Sequence, residues 1–241
     1  MNDRIHRIVI TGAGSGIGLD VARAFLARGS RLVINGRDPE KLERARRSLD
    51  PSQVVAVPGE IGDPATGPAL SAAAREHFGG VDVLVNNAGI FASKPFLEST
   101  AADLERFFET NVKGTYLVTQ AIVPLMIAGG GGSIINVGAA LVEQAMTGVP
   151  ASAVMASKGG VHALTVALAA ELARHKIRVN TLAPGIIRTP LIPDPDSLAA
   201  IHPLGRVGEV RDTSEAALYL ATAGFVTGTT LAVDGGYSHG R

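Results

Sequence analysis

The sequence predicts an α/β fold: a doubly wound parallel sheet in a single domain over residues 1–241. Three observations predict it. Short β-branched runs alternate with long alanine-rich stretches along the chain. Several of those runs are apolar on both faces, as strands buried inside a parallel sheet are. A glycine-rich turn joins the first run to the first helical stretch, as in a β-α unit. A chain of 241 residues is long enough for one large domain of this class.

The elements follow in order. "RIVIT" (7–11) reads as the first strand and leads into a helix near 17–28. "RLVIN" (31–35) and "VVAV" (54–57) precede helices near 39–49 and 66–78. "VLVN" (83–86) precedes a long helix near 101–127, and "SIINV" (133–137) one near 151–174. "IRVNTL" (177–182) leads to a helix near 209–223, and "TLAV" (230–233) closes the sheet. The strand order is expected to reverse beside the glycine-rich turn. The glycine run 129–132 lies between a helix and a strand and reads as a loop within the domain. There is no repeat and no internal linker.

Composition narrows the function classes. Lys+Arg and Asp+Glu are 22 each, so the formal net charge is zero. That gives no electrostatic reason to expect nucleic acid or an anionic membrane as partner. The chain has no cysteine, which excludes disulfides, a thiol nucleophile and cysteine metal sites. No apolar run is read as approaching the roughly 20 residues that span a bilayer. The start, "MNDRIHRIVI", carries charges and lacks the apolar core of a signal peptide. A soluble cytoplasmic protein is the expectation. No His/Asp/Glu group has metal-ligand spacing, so no metal is expected.

"TGAGSGIG" (11–18) directly follows the first strand and opens the first helix. Glycines there allow a tight turn and close backbone approach to a pyrophosphate, and the helix start offers free N–H groups and a positive dipole end. Its spacing, Gly12, Gly16 and Gly18, resembles the glycine motif of the short-chain dehydrogenase/reductase family, classical type. Further matches follow in order: "NNAG" (86–89), Asn111 in "TNVKG", "ASK" ending at Lys158, "APGIIRT" (183–189) and "VTGTTLAVDGG" (226–236). They span nearly the whole chain.

The resemblance implies a Rossmann-like domain that binds a nicotinamide dinucleotide and acts on a small molecule. It places cofactor contacts at Gly12, Ser15, Gly16, Ile17, Gly18, Asn87, Ala88, Gly89, Lys158, Pro184, Gly185 and Thr189, with Thr189 at the nicotinamide carboxamide. It puts a substrate lid near 185–210. It also implies a homo-oligomer, a tetramer built on the helices near 101–127 and 151–174, where small residues ("ALAAEL", 167–172) permit close packing.

The second strand ends "INGRD". An acid there would bind the ribose hydroxyls of NAD, whereas an arginine suits the extra phosphate of NADP. Gly36 takes the acid's place and Arg37 follows, which favours NADP over NAD. Asp38 beside it could neutralise that charge. Ser15 stands where NADP-preferring relatives often carry a base.

The family's machinery is an Asn, Ser, Tyr and Lys set. Tyr and Lys lie four apart on one helix face. The ammonium lowers the phenol pKa from about 10 toward neutrality. Asn111 and Lys158 match two members. The tyrosine position is Val154, and the seven-residue spacing of the enoyl-reductase variant gives Ala151. The serine position falls at Ala139, or at Gly138 or Ala140 if the alignment shifts by one; none has a hydroxyl. The three tyrosines, Tyr116, Tyr219 and Tyr237, are all distant in sequence.

Glu143, in the loop after the fifth strand, is the leading candidate for another acid, provided that it is desolvated. Gln144 and Thr147 share that loop. Ser152 is about 200° round the helix from Val154 and reads as a helix-start residue. His162 reads as packing or interface, and His202, in the lid, as a surface residue. Three readings follow, in this order: an oxidoreductase with an atypical site acting on an imine or activated alkene or using another acid; a cofactor-binding protein without turnover, a sensor or subunit; and a non-redox enzyme such as a dehalogenase or lyase.

Overall fold

The computed structural model describes residues 7–192 and 194–239. Its strands are β1 (Arg7–Ile10), β2 (Arg31–Gly36), β3 (Val54–Pro58), β4 (Val83–Asn86), β5 (Gly132–Val137), β6 (Ile177–Pro184) and β7 (Thr230–Val233). All pair in parallel, in the order β3-β2-β1-β4-β5-β6-β7. The order reverses between β1 and β4, next to the glycine-rich turn, as the sequence predicts. In open α/β sheets this crevice is where ligands bind.

The helices are α1 (Gly16–Leu26), α2 (Pro39–Ser48), α3 (Thr66–Phe78), α4 (Ala101–Phe107), α5 (Thr115–Ala128), α6 (Ser152–Leu172) and α7 (Val210–Thr222). They cover both faces because the strands are apolar on both. Ile8 and Ile10 of β1 pack with Phe25 of α1, Leu42 of α2 and Leu220 of α7. Val9, between them, faces the other way and packs with Leu70 of α3, Ile122 of α5 and Leu172 of α6. Burying one such side chain stabilises by about 1.5–3 kcal/mol, so alternation along one strand anchors two separate cores.

The long helix expected over 101–127 is interrupted. Between α4 and α5 the chain widens into a π-helical segment, Phe108–Gly114. The cause lies at Asn111, whose buried side chain bonds to two other segments instead of pointing to solvent. Such widened turns cluster at functional positions.

A second expectation needs correction. Ser152–His175 is long and apolar enough to cross a membrane by length and composition only. Here it packs against the sheet, and its buried Thr165 accepts a hydrogen bond from Asn136 of β5. The segment expected as a lid crosses from β6 to α7 and is tied down by a parallel bridge between Ile187 and Gly208.

Candidate active site

The crevice is fastened by Thr11, the residue after β1. Its buried hydroxyl accepts the backbone N–H groups of Asn87 (3.1 Å) and Ala88 (3.0 Å). Asn87 returns two bonds, from Nδ2 to the carbonyls of Thr11 and Gly12, each 3.0 Å. The approach is so close that only glycine fits. A Cβ at Gly12, where φ is +66°, would lie 2.7 Å from Ala88 Cα, and one at Gly18 2.5 Å from the Gly12 carbonyl.

Ser15 caps the start of α1 without a side-chain hydrogen bond, and the first turn holds no acidic residue. The positive end of the helix is therefore unneutralised and its N–H groups are available to an anion. Ile17 packs beneath the loop on the core. A Cβ at Gly16 would lie 3.4 Å from the Thr189 methyl, so the segment after β6 reaches the glycine loop. Pro184 ends β6 opposite Val233, and the Gly185 N–H donates to the Val233 carbonyl at 3.0 Å. This cradle fits the pyrophosphate of a dinucleotide.

At the end of β2, Arg37 is exposed. The expected neutralisation by Asp38 is not made: no side-chain partner engages Arg37 among the described residues. The Asp38 carboxylate instead caps α2, accepting the Lys41 N–H at 3.0 Å. That hydrogen bond holds its carboxyl below the usual range.

Asn111 lies deeper. Its Oδ1 accepts the Ile90 N–H at 2.8 Å. Its Nδ2 donates to the Ile90 carbonyl (3.1 Å) and to Ser157 Oγ (2.9 Å). The residues after "NNAG" are thus tied to the widened turn and to α6. Lys158 joins them. Its Nζ donates to the Val137 carbonyl at 2.8 Å, and a Cβ at Gly89 would lie 3.1 Å from that Nζ and 3.0 Å from Asn111 Oδ1. Burial without a carboxylate partner pushes its ammonium down to about 8. Beneath runs a buried polar chain: Asn86 Nδ2 donates to Asn136 Oδ1 and to Thr119, while Asn136 Nδ2 and Thr181 donate to Thr165.

Val154, which the sequence spacing sets at the tyrosine position, is 1% exposed and lies beside a cavity of about 40 Å³ also lined by Ala92 and Phe107. Ala139 is extended (φ −159°), and its N–H donates to His162 Nε2 at 3.4 Å. A Cβ at Gly138 would crowd that ring, 2.8 Å from Cδ2 and closer to Nε2, and would lie 2.7 Å from Thr181 Cγ2. A side chain at 138 would therefore displace the His162 ring, whereas 139 already carries a Cβ. His162 also faces Glu143, Nδ1 to Oε1 3.6 Å. Its imidazole is pushed down by burial, against the pull of Glu143. Glu143 itself is exposed, so the desolvation expected of a replacement acid is absent.

His202 corrects the sequence expectation of a surface residue. It is 3% exposed, wedged against Gly185 and Gly235. Tyr237 is also buried, and its hydroxyl donates to the Gln144 carbonyl at 3.0 Å. Tyr116 and Tyr219 are exposed. Ser152 starts α6, and Thr147 lies exposed in its loop. Sequence reasoning overlooked Thr11 and Ser157. A polar residue ending an apolar strand was the available signal for the first, and a hydroxyl beside Lys158 for the second.

A family model described as Enoyl-(Acyl carrier protein) reductase matches residues 12–238. Galactitol 2-dehydrogenase (L-tagatose-forming) of Cereibacter sphaeroides is 40% identical, over 95% of this chain and 93% of its own. L-xylulose reductase of Homo sapiens is 36% identical, over 96% of each chain. A crystal structure of a short-chain type dehydrogenase/reductase from Mycobacterium marinum superposes with a TM-score of 0.91 at 33% identity, covering 97% of this chain and 95% of that one.

Proposed function

The chain belongs to the short-chain dehydrogenase/reductase family, oxidoreductases that act on small molecules with a nicotinamide cofactor, and from that premise we propose that it is an NADP(H)-binding oxidoreductase with an atypical site. One observation carries this reading. Lys158 stands beside Asn111 and Gly89 at the end of a close-fitting glycine cradle, while Val154 and Ala139 bring no hydroxyl. The cofactor supplies or accepts the hydride. Lys158 and Asn111 would hold the nicotinamide ribose and a water, and Arg37 would grip the extra phosphate of NADP. Val154 and Ala139 form an apolar wall at the reacting carbon.

Such a wall suits an electrophile that needs no proton on oxygen. In an iminium ion the electron pair of the C=N bond moves to nitrogen as hydride adds to carbon, and the product is a neutral amine. Hydride addition to an activated alkene leaves an enolate-like anion, which takes its proton on the α carbon from water instead of on a carbonyl oxygen from a tyrosine.

The second reading is cofactor binding without turnover. It draws on the tyrosines, since the one buried phenol, Tyr237, already donates to Gln144. The two separate when purified protein is incubated with NADPH and a panel of ketones, imines and activated alkenes. Turnover of imines or alkenes with little on ketones supports the oxidoreductase. Saturable NADPH binding with no turnover on any of them supports the second reading.

A further inference from the structure

The glycine loop has serine at position 15, yet a cation reaches the loop from another element. Lys41 lies in the first turn of α2, and its aliphatic stem rests over the loop: a Cβ at Gly14 would meet Lys41 Cγ at 3.6 Å and Cδ at 3.9 Å. The end of β2 closes on the same residue, since a Cβ at Gly36 would lie 4.0 Å from the Gly14 nitrogen. Arg37 is the next residue. Arg37 and Lys41 therefore both stand at the contact between the glycine loop and the β2–α2 turn.

Both side chains are exposed, and neither has an ion pair or hydrogen bond among the described residues. The other cations of α2 do: Arg44 with Glu40 at 3.8 Å, Arg46 with Glu43 at 2.8 Å and Arg47 with Glu43 at 2.9 Å. Asp38, next to Arg37, accepts the Lys41 backbone N–H and feels the Lys41 charge only through space, and Glu40, next to Lys41, pairs with Arg44. Residues Arg44 and Ala45, the i+3 and i+4 neighbours of Lys41, offer no carboxylate either. Two adjacent cations left unpaired form a site for a compact dianion, and a phosphate monoester carries a charge of about −1.5 to −2 at neutral pH.

We propose that Lys41 is a specificity-determining residue that binds the 2′-phosphate of NADP together with Arg37, supplying from α2 the charge that Ser15 does not supply from the loop. The guanidinium provides two parallel donors, and the ammonium a point charge. This rests on the NADP reading above.

The test is equilibrium titration of NADPH and NADH into the unmodified protein, R37A, K41A and the double variant S15K/K41A, each confirmed folded by circular dichroism. Lys41→Ala keeps the backbone N–H that Asp38 caps. It is expected to weaken NADPH binding about tenfold, the scale of one charge-assisted contact. NADH binding should stay within about twofold. S15K/K41A should recover most of the loss by returning an ammonium to the same contact. Unchanged NADPH affinity in K41A alongside a large loss in R37A would overturn the role of Lys41 and leave the NADP reading standing. An equal loss for NADH would overturn it as well. Equal affinity of the unmodified protein for both cofactors would bring down both.

Discussion

Lys158 faces no carboxylate, and that has a consequence for stability. Burial pushes its ammonium down to about 8 from an ordinary 10.5. A group whose folded pKa is depressed below its unfolded value leaves the unfolded chain holding more protons between the two. Its contribution to stability is therefore least favourable below about 8 and improves as pH rises toward about 10.5. In cofactor-free protein, Lys158→Met should change stability most favourably near pH 7. Its advantage over the unmodified chain should shrink as pH rises to about 10. Urea denaturation at the two pH values reads this directly, and a gap equal at both would show that burial of the charge is not its source.

Position 138 makes a steric prediction at the same scale. Gly138→Ser should destabilise by about 1–3 kcal/mol, because its side chain would enter the space of the His162 ring. Ala139→Ser should cost less than about 1 kcal/mol, since that position is only half-buried. Removing the ring with His162→Ala should recover part of the Gly138→Ser loss, a coupling that a double-mutant cycle of melting temperatures would expose.

At the scale of elements, the widened turn between α4 and α5 holds the site together. Asn111→Ala removes three bonds and leaves the Ile90 N–H and carbonyl without their side-chain partners. A loss of about 1–3 kcal/mol is expected, with weaker NADPH binding, because the residues after "NNAG" lose their tie to α6. Retention of full stability and affinity would show that the turn is held by other contacts.

This turn also marks where sequence reasoning stops. The seven strands were legible because apolar residues on both faces are a local signal. The glycine motif was legible because its position after β1 is fixed by the chain. The π turn was not, since it forms through bonds from Asn111 to segments 21 and 46 residues away. The burial of His202, the crowding of Gly138 by His162 and the stem of Lys41 over Gly14 depend likewise on elements brought together only by the fold. The assignment of Val154 to the tyrosine position rests on its spacing to Lys158 alone.

Across the whole molecule, helices α4 to α6 carry exposed apolar side chains: Leu104, Tyr116 and Val166, with Phe108 on the widened turn between α4 and α5. A homotetramer that buries these faces is the expected assembly, and light scattering at micromolar concentration should report about four chains; a monomer would contradict it. The same α6 that presents Val166 outward buries Val154, so the expected assembly and the candidate site would share one element. The central claim is that the family scaffold is intact and lacks only its two hydroxyls. NADPH-dependent reduction of a ketone panel tests it most directly, across the unmodified protein, Val154→Tyr, Ala139→Ser and the pair. The unmodified protein should be poor on ketones. The pair should gain on the order of 10²–10⁴-fold, more than either change alone, because both groups hold the same oxygen. Lys158→Ala in the restored background should abolish the gain. Strong ketone reduction by the unmodified protein, or no gain in a well-folded pair that binds NADPH, would contradict the account.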